Sequence, residues 1–257
     1  MIIGIIPARF ASTRLMGKPL AEIGGKPMIF HTYNSAKKSR LLDKVVIAVD
    51  DEKVFQVAKN FCPDVYMTPK NCQSGSDRIA LVTEKIPDAN IIVNIQGDEP
   101  FIKGKMIDEA IEPLLFDKKV LVATLARTIR NVEEMKSPSV VKVVFDYNNF
   151  ALYFSRSPIP FVREAKTNLA RVQTAEIYKH IGLYVYRKEA LIKFTQLKPT
   201  DLEQTEKLEQ LRFLEHGFKM KIVVTDFDSL SVDTPKDLEI ARKFYEKNIK
   251  SERTNRK

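Results

Sequence analysis

The chain has 257 residues, 44% of them hydrophobic and 29% charged, with a formal net charge of +9. This length and balance describe a folded protein whose core needs no disulfide or metal staple, and no apolar run reaches the roughly 20 residues that cross a bilayer. The two cysteines, Cys62 and Cys72, lie without metal-spaced partners and read as free thiols. The N-terminal IIGIIP has neither a basic flank nor a small-residue cleavage site, so the expectation is a cytoplasmic protein with no membrane span.

In chain order, IIGIIPA reads as a strand buried on both faces, followed by the loop RFASTRLMGKP and a helical MIFHTYNSAKKS. KVVIAVD is again apolar throughout, EKVFQVAKNF has helical spacing, VYMT is short and extended, and SGSDRIALVTEKI is a helix opened by hydroxyl residues. NIIVNIQGDEP is a strand that ends in a carboxylate-bearing turn. The alternation predicts an α/β fold, a parallel sheet covered by helices on both faces, with ligands beyond the carboxyl ends of its strands.

Beyond residue 120 the rhythm changes. KVLVATLAR, SVVKVVFD, NFALYFSR and HIGLYVYR follow one another without long helices, which predicts a smaller inserted lobe with a more antiparallel subsheet. LEQTEKLEQLRFLEHG, with leucines at 202, 208, 211 and 214 and Gly217 as its stop, predicts one continuous helix. KMKIVVTD and PKDLEIARKFYEKN close the fold. The expected organisation is a single domain over 1–250, with a main part at 1–120, a second lobe at 121–220, a closing strand and helix at 221–250, and a basic tail at 251–257.

Several groups of residues carry chemistry. Arg9, Arg14 and Lys18 crowd one loop, and Gly17 and Pro19 bracket Lys18 in a way that restricts the backbone and aims the lysine at an anionic ligand such as a polyphosphate. Asp98 ends a buried strand, where an acid can hold a divalent cation. Asp233 precedes Thr234-Pro235 and reads alone as an ordinary helix cap, or together with Asp98 as a second ligand to Mg2+. Ser74 and Gly75 allow close backbone approach at a helix start, while Arg78 reads either as a nucleotide contact or as a surface arginine. Arg156, His180, Tyr184, Glu209 and Gln210 form a second collection suited to a carboxylated, hydroxyl-rich sugar. Each of these also has a plain structural reading, as a hydrogen-bonded histidine or a solvated helix face.

In these blocks, from IIPARFASTRLMGKPL through QSGSDR, VNIQGDEP, ALYFSRSPIP, KHIGLYVYR and LEQLRFLEHG to VDTPKDLE, the chain resembles the 3-deoxy-manno-octulosonate (Kdo) cytidylyltransferases. The resemblance implies a sugar nucleotidyltransferase fold with a Rossmann-like mixed, mostly parallel sheet flanked by helices, in which 1–120 mainly binds the nucleotide and 121–220 is the sugar-binding and dimerisation lobe of a homodimer. It also implies Mg2+-dependent transfer of CMP from CTP to Kdo, with pyrophosphate released and the product used in lipopolysaccharide inner-core synthesis. It implies that Arg9 and Lys18 hold the triphosphate, that Ser74, Gly75, Arg78 and Gln96 line the nucleotide side with Gln96 also reaching the sugar, and that Asp98 and Asp233 bind the metal. Arg156, His180, Tyr184, Glu209 and Gln210 would contact the sugar acid. Two alternatives stand beside this reading: a cytidylyltransferase for 8-amino-Kdo or another acidic sugar, and a noncatalytic nucleic-acid binder suggested by the charge. The absence of tryptophan and of any nucleic-acid motif speaks against the second.

Overall fold

A computed structural model describes residues 1–12, 14–72 and 74–254, with side chains described through residue 248. The first elements are β1 (Ile2–Ala8), β2 (Glu22–Ile23), β3 (Lys26–Pro27), α1 (Met28–Ala36), β4 (Lys44–Val49), α2 (Glu52–Lys59), β5 (Val65–Met67), α3 (Gly75–Glu84) and β6 (Ile91–Asn94). There follow α4 (Gly104–Phe116), β7 (Val122–Thr128), α5 (Val132–Lys136), β8 (Lys142–Phe145), β9 (Ala151–Ser155), α6 (Asn168–Thr174) and β10 (Tyr178–Arg187). The chain closes with α7 (Lys188–Gln196), α8 (Asp201–Glu206), α9 (Leu211–Glu215), β11 (Lys221–Val224) and α10 (Pro235–Thr254). This is the mixed α/β fold the sequence predicts. Of the basic tail, residues 251–254 continue the α10 backbone, and 255–257 lie outside the described residues.

Two compact units make up the chain: Met1–Ala89 with Asn94–Lys105 and the segment from Ser229 onward, and Asn90–Val93 with Met106–Asp228. The chain passes from the first unit to the second at 105–106, and its closing segment is divided, β11 belonging to the second unit and α10 to the first.

In the first unit β1 pairs with β4 and β4 with β5, all parallel. Ile3, Ile5 and Ile6 of β1 and Val46, Ile47, Ala48 and Val49 of β4 are fully buried. Burial of each larger side chain among them contributes about 1.5–3 kcal/mol, which is why these strands are apolar throughout instead of alternating. Ile95 N donates to Ile5 O at 3.0 Å, so the segment that carries Gln96 and Asp98 leaves the sheet beside β1. A separate cluster of Ile23, Met28, Val232, Leu238 and Ala241, with Leu15, Phe101 and Tyr245 against it, seats the start of α10 near the opening loop.

In the second unit β10 runs antiparallel to β7 and β8, β8 antiparallel to β9, and β11 parallel to β7. This is the more antiparallel subsheet expected after residue 120. The long helix expected over 202–217 is not continuous: α8 and α9 are separate, and Lys207 between them is left-handed at φ 53°. The cause is competition for backbone carbonyls. Arg156 Nε donates to Glu206 O at 2.7 Å and its Nη2 to Lys207 O at 3.3 Å, taking acceptors that a continued helix would use. Gly217 does act as the stop, at φ +76°, its N–H bonded to Leu214 O at 3.0 Å.

Candidate active site

The opening loop leaves β1 at Ala8 and turns back on itself, because Gly17 takes a left-handed conformation (φ 66°) and donates its N–H to Phe10 O at 3.1 Å. Pro19 then starts a single 3-10 turn, Lys18–Leu20. This geometry directs Lys18 inward: its Nζ donates to Asp98 Oδ2 at 2.5 Å and to Asp233 Oδ1 at 3.0 Å. Arg14 Nη2 joins them, 2.9 Å from Asp233 Oδ1. Burial is the largest influence on the Lys18 ammonium and acts to lower its pKa, but the two carboxylates together outweigh it and hold the value above that of an ordinary lysine.

Both acids arrive by backbone design. Asp98 follows Gln96-Gly97, where any side chain at 97 would collide with the Pro7 carbonyl, its Cβ only 2.7 Å away. Thr32 Oγ1 fixes the same turn by donating to Gly97 O at 3.1 Å. Val232 N donates to Asp98 O at 2.9 Å, which sets Asp233 beside Asp98. The helix-cap reading of Asp233 is not what the structure adopts. Thr234 caps α10, accepting from Asp237 N at 3.2 Å while Asp237 Oδ2 accepts from Thr234 N at 2.9 Å, so the Asp233 carboxylate is released to Lys18 and Arg14.

Arg9, Lys18, Gly75, Gln96, Asp98 and Asp233 line one cleft of 430 Å3, together with Arg14 and Ser12. Arg9 is exposed at its rim. Ser74 and Arg78 are not among its lining residues. Ser74 Oγ is the N-cap of α3, accepting from Asp77 N at 3.2 Å. Arg78 is fully buried, with Nη2 on Asp50 Oδ2 at 2.9 Å and Nη1 on Thr68 Oγ1. The surface-arginine reading of Arg78 is therefore corrected: an arginine one turn into a helix on its sheet-facing side has a carboxylate waiting at the end of β4.

His180 is buried, and its ring lies 4.9 Å from that of Phe154 and 5.4 Å from that of Tyr184, centroid to centroid. Four residues of regular strand would carry Tyr184 about 13 Å away. The approach comes from an irregularity in β10 between Ile181 and Tyr184, where three residues oppose a single step of β7. Thr124 Oγ1 stands inside this bulge, 3.1 Å from Ile181 O and 2.8 Å from Leu183 O. With its one proton given to a carbonyl, that hydroxyl accepts from His180 Nε2, 2.9 Å away. Burial pushes the His180 pKa down to about 3. Arg156 Nη1 donates to Pro138 O at 2.9 Å, and its backbone N donates to Glu206 Oε2 at 2.9 Å. Gln210 is buried and Glu209 half-buried, both in the turn between α8 and α9 and not on a continuous helix.

Among the residues that sequence reasoning missed is Asp50. Its signal was present, since KVVIAVD ends a buried strand in an acid as NIQGDEP does. Thr124 and Glu206 were missed for a different reason: their roles depend on a bulge and a helix break that periodicity does not encode.

A cytidylyltransferase family model matches residues 3–222. The 3-deoxy-manno-octulosonate cytidylyltransferase of Geotalea daltonii is 48% identical over 242 residues, covering 93% of this chain and 95% of that one. Its counterpart in Geobacter sulfurreducens is 50% identical over 242 residues, covering 93% and 96%. The solved structure of CMP:2-keto-3-deoxy-manno-octonic acid synthetase complexed with CTP is similar at a TM-score of 0.88 and 38% identity, covering 96% of this chain and 99% of that one. With these likenesses over nearly its whole length, the chain belongs to the cytidylyltransferase family, alongside the 3-deoxy-manno-octulosonate cytidylyltransferases.

Proposed function

We propose that this protein transfers CMP from CTP to the anomeric hydroxyl of Kdo, releasing pyrophosphate, and that the cleft beside β1 holds the triphosphate. The observation that carries the reading is the Lys18 ammonium, fixed between Asp98 and Asp233 under a rim bearing Arg9 and Arg14. A loop this cationic costs self-repulsion unless an anion receives it.

The donor set fits Mg2+. Asp98 and Asp233 already converge on one cation, that of Lys18, and present hard carboxylate oxygens in the number that Mg2+ takes when substrate phosphates and water complete its shell. Bound there, Mg2+ would supply Lewis-acid polarisation and charge neutralisation at the phosphates. The chain's own residues do the rest. Arg9 and Lys18 put positive charge on the β and γ phosphates, so that the bond from the α-phosphorus to the leaving oxygen breaks toward a stabilised pyrophosphate. Arg14 keeps Asp233 oriented through its ion pair. Lys18, Asp98 and Asp233 are engaged with one another in ion pairs, and direct displacement by the sugar hydroxyl needs no nucleophile from the protein.

Arg156, His180, Tyr184, Glu209 and Gln210 complete the reading as the sugar side, with Arg78 and Ser74 supporting the nucleotide side through α3. A neutral His180 is suited to exchange hydrogen bonds with hydroxyls and not to grip a carboxylate by charge. The homodimer belongs to the proposal as well, and Leu152, Phe161 and Leu169, exposed at 63%, 73% and 57%, are apolar surface available to a second copy. The test is pyrophosphate release with each of the four nucleoside triphosphates, crossed with Kdo, 8-amino-Kdo and sialic acid, with and without Mg2+. The expected result is release confined to CTP with Kdo and Mg2+. Release with another base, or none with any sugar, would contradict it.

A further inference from the structure

Asp50 lies at the end of β4, 6% exposed, and its two oxygens face different elements. Oδ2 accepts from Arg78 Nη2 on α3 at 2.9 Å, and Oδ1 accepts from the backbone N–H of Phe10 at 2.9 Å. Arg78 is held in turn by Thr68, whose hydroxyl donates to Val49 O at 2.7 Å. Phe10 is the residue on which the opening loop closes, because its carbonyl accepts the Gly17 N–H at 3.1 Å. One residue is therefore tied at its N–H to the sheet and at its C=O to the far end of the loop, with Arg9 on one side of it and Lys18 just beyond the other tie.

We propose that Asp50, held by Arg78, is a positioning residue for the triphosphate: it fixes the Phe10 peptide and thereby the placement of Arg9 and Lys18. The inference rests on the polyphosphate reading of the cleft and extends it to residues that do not line it. A buried ion pair contributes little net stability, so its presence here calls for another use. The use follows from acceptor chemistry. A carboxylate can receive a donor at each oxygen, whereas an amide of the same shape offers one oxygen and one NH2, and so opposes either Arg78 or Phe10. Pre-placed cations need no ordering when the triphosphate arrives, which is where such a tie affects affinity.

The experiment compares the full-length wild type with Asp50→Asn and with Val46→Ala, a core truncation in the same strand that lowers stability without touching the tie. Inorganic tripolyphosphate binding is followed by calorimetry and Phe10 amide exchange by NMR. For Asp50→Asn we expect tripolyphosphate affinity to fall about tenfold or more, KM for CTP to rise by a similar factor with KM for Kdo within about twofold, and Phe10 exchange to accelerate. Val46→Ala should melt earlier yet bind tripolyphosphate as the wild type does. Equal binding by wild type and Asp50→Asn, or equal losses in the two variants, would overturn the inference. A wild type that failed to bind tripolyphosphate would overturn the polyphosphate reading beneath it. Should Asp50→Asn not fold, Thr68→Val, which removes one anchor of Arg78, must weaken tripolyphosphate in the same direction by a smaller factor; unchanged binding there overturns the proposal equally.

Discussion

Lys18 shows how much a single position can say. Its flanking Gly17 and Pro19 made an aimed lysine legible in the sequence, and in the structure the left-handed glycine and the proline-led turn carry its ammonium to both carboxylates. What the residue string left open was Asp233, because an acid before Thr-Pro satisfies the rules of a helix cap; only the Thr234–Asp237 exchange of hydrogen bonds releases it. His180 carries a prediction at the same scale. The unfolded chain takes up a proton at its imidazole below about pH 6.5, while the folded protein refuses it down to about pH 3, so stability falls as pH drops through that window, by up to about 1.4 kcal/mol per pH unit. Melting curves from pH 7 to 4 should show a shallower decline for His180→Gln, which keeps a donor for Thr124, than for the wild type. Parallel declines would contradict the buried neutral ring.

At the scale of elements, what the sequence conveyed was burial. Continuous apolar runs such as IIGII and KVVIAV located β1 and β4, because a strand covered on both faces cannot alternate. The β10 bulge and the break between α8 and α9 were not legible, since each depends on a distant side chain, Thr124 in one case and Arg156 in the other, competing for backbone groups. Lys142 belongs to this class of tie. It is fully buried, and its three ammonium protons go to the carbonyls of Ser137, Val140 and Arg156 at 3.0, 2.6 and 2.6 Å. Lys142→Met fills similar volume but takes the donor from the Val140 and Arg156 carbonyls, while Ser137 O keeps the Val140 N–H at 3.2 Å, so urea unfolding should show a loss of about 2 kcal/mol or more. A loss below about 0.5 kcal/mol would mean that water replaces the ammonium. Gly97→Ala tests the other site-forming turn: its methyl group meets the Pro7 carbonyl, and a loss of about 1–3 kcal/mol is expected from the same measurement, with an unchanged midpoint contradicting the close approach.

For the whole molecule, α/β alternation in one part of the sequence and closely spaced strands in the other foretold a mixed fold, and the chain resolves into two compact units that share its closing segment. The unit that carries the cationic loop brings together segments more than 200 residues apart, with Lys18 and Asp233 in direct contact. Acids and a basic loop placed after buried strands suggested such a meeting, the resemblance of ordered motif blocks supported it, and the backbone ties at Val232 and Gly17 give it a physical cause. The most direct measurement is Kdo-dependent pyrophosphate release from CTP in the presence of Mg2+, comparing the wild type with a Lys18→Ala variant whose melting curve shows it folded. Loss of one preorganised cation at the leaving group predicts a fall in kcat/KM of about 100-fold or more. Turnover by the folded variant within about twofold of the wild type would contradict the account.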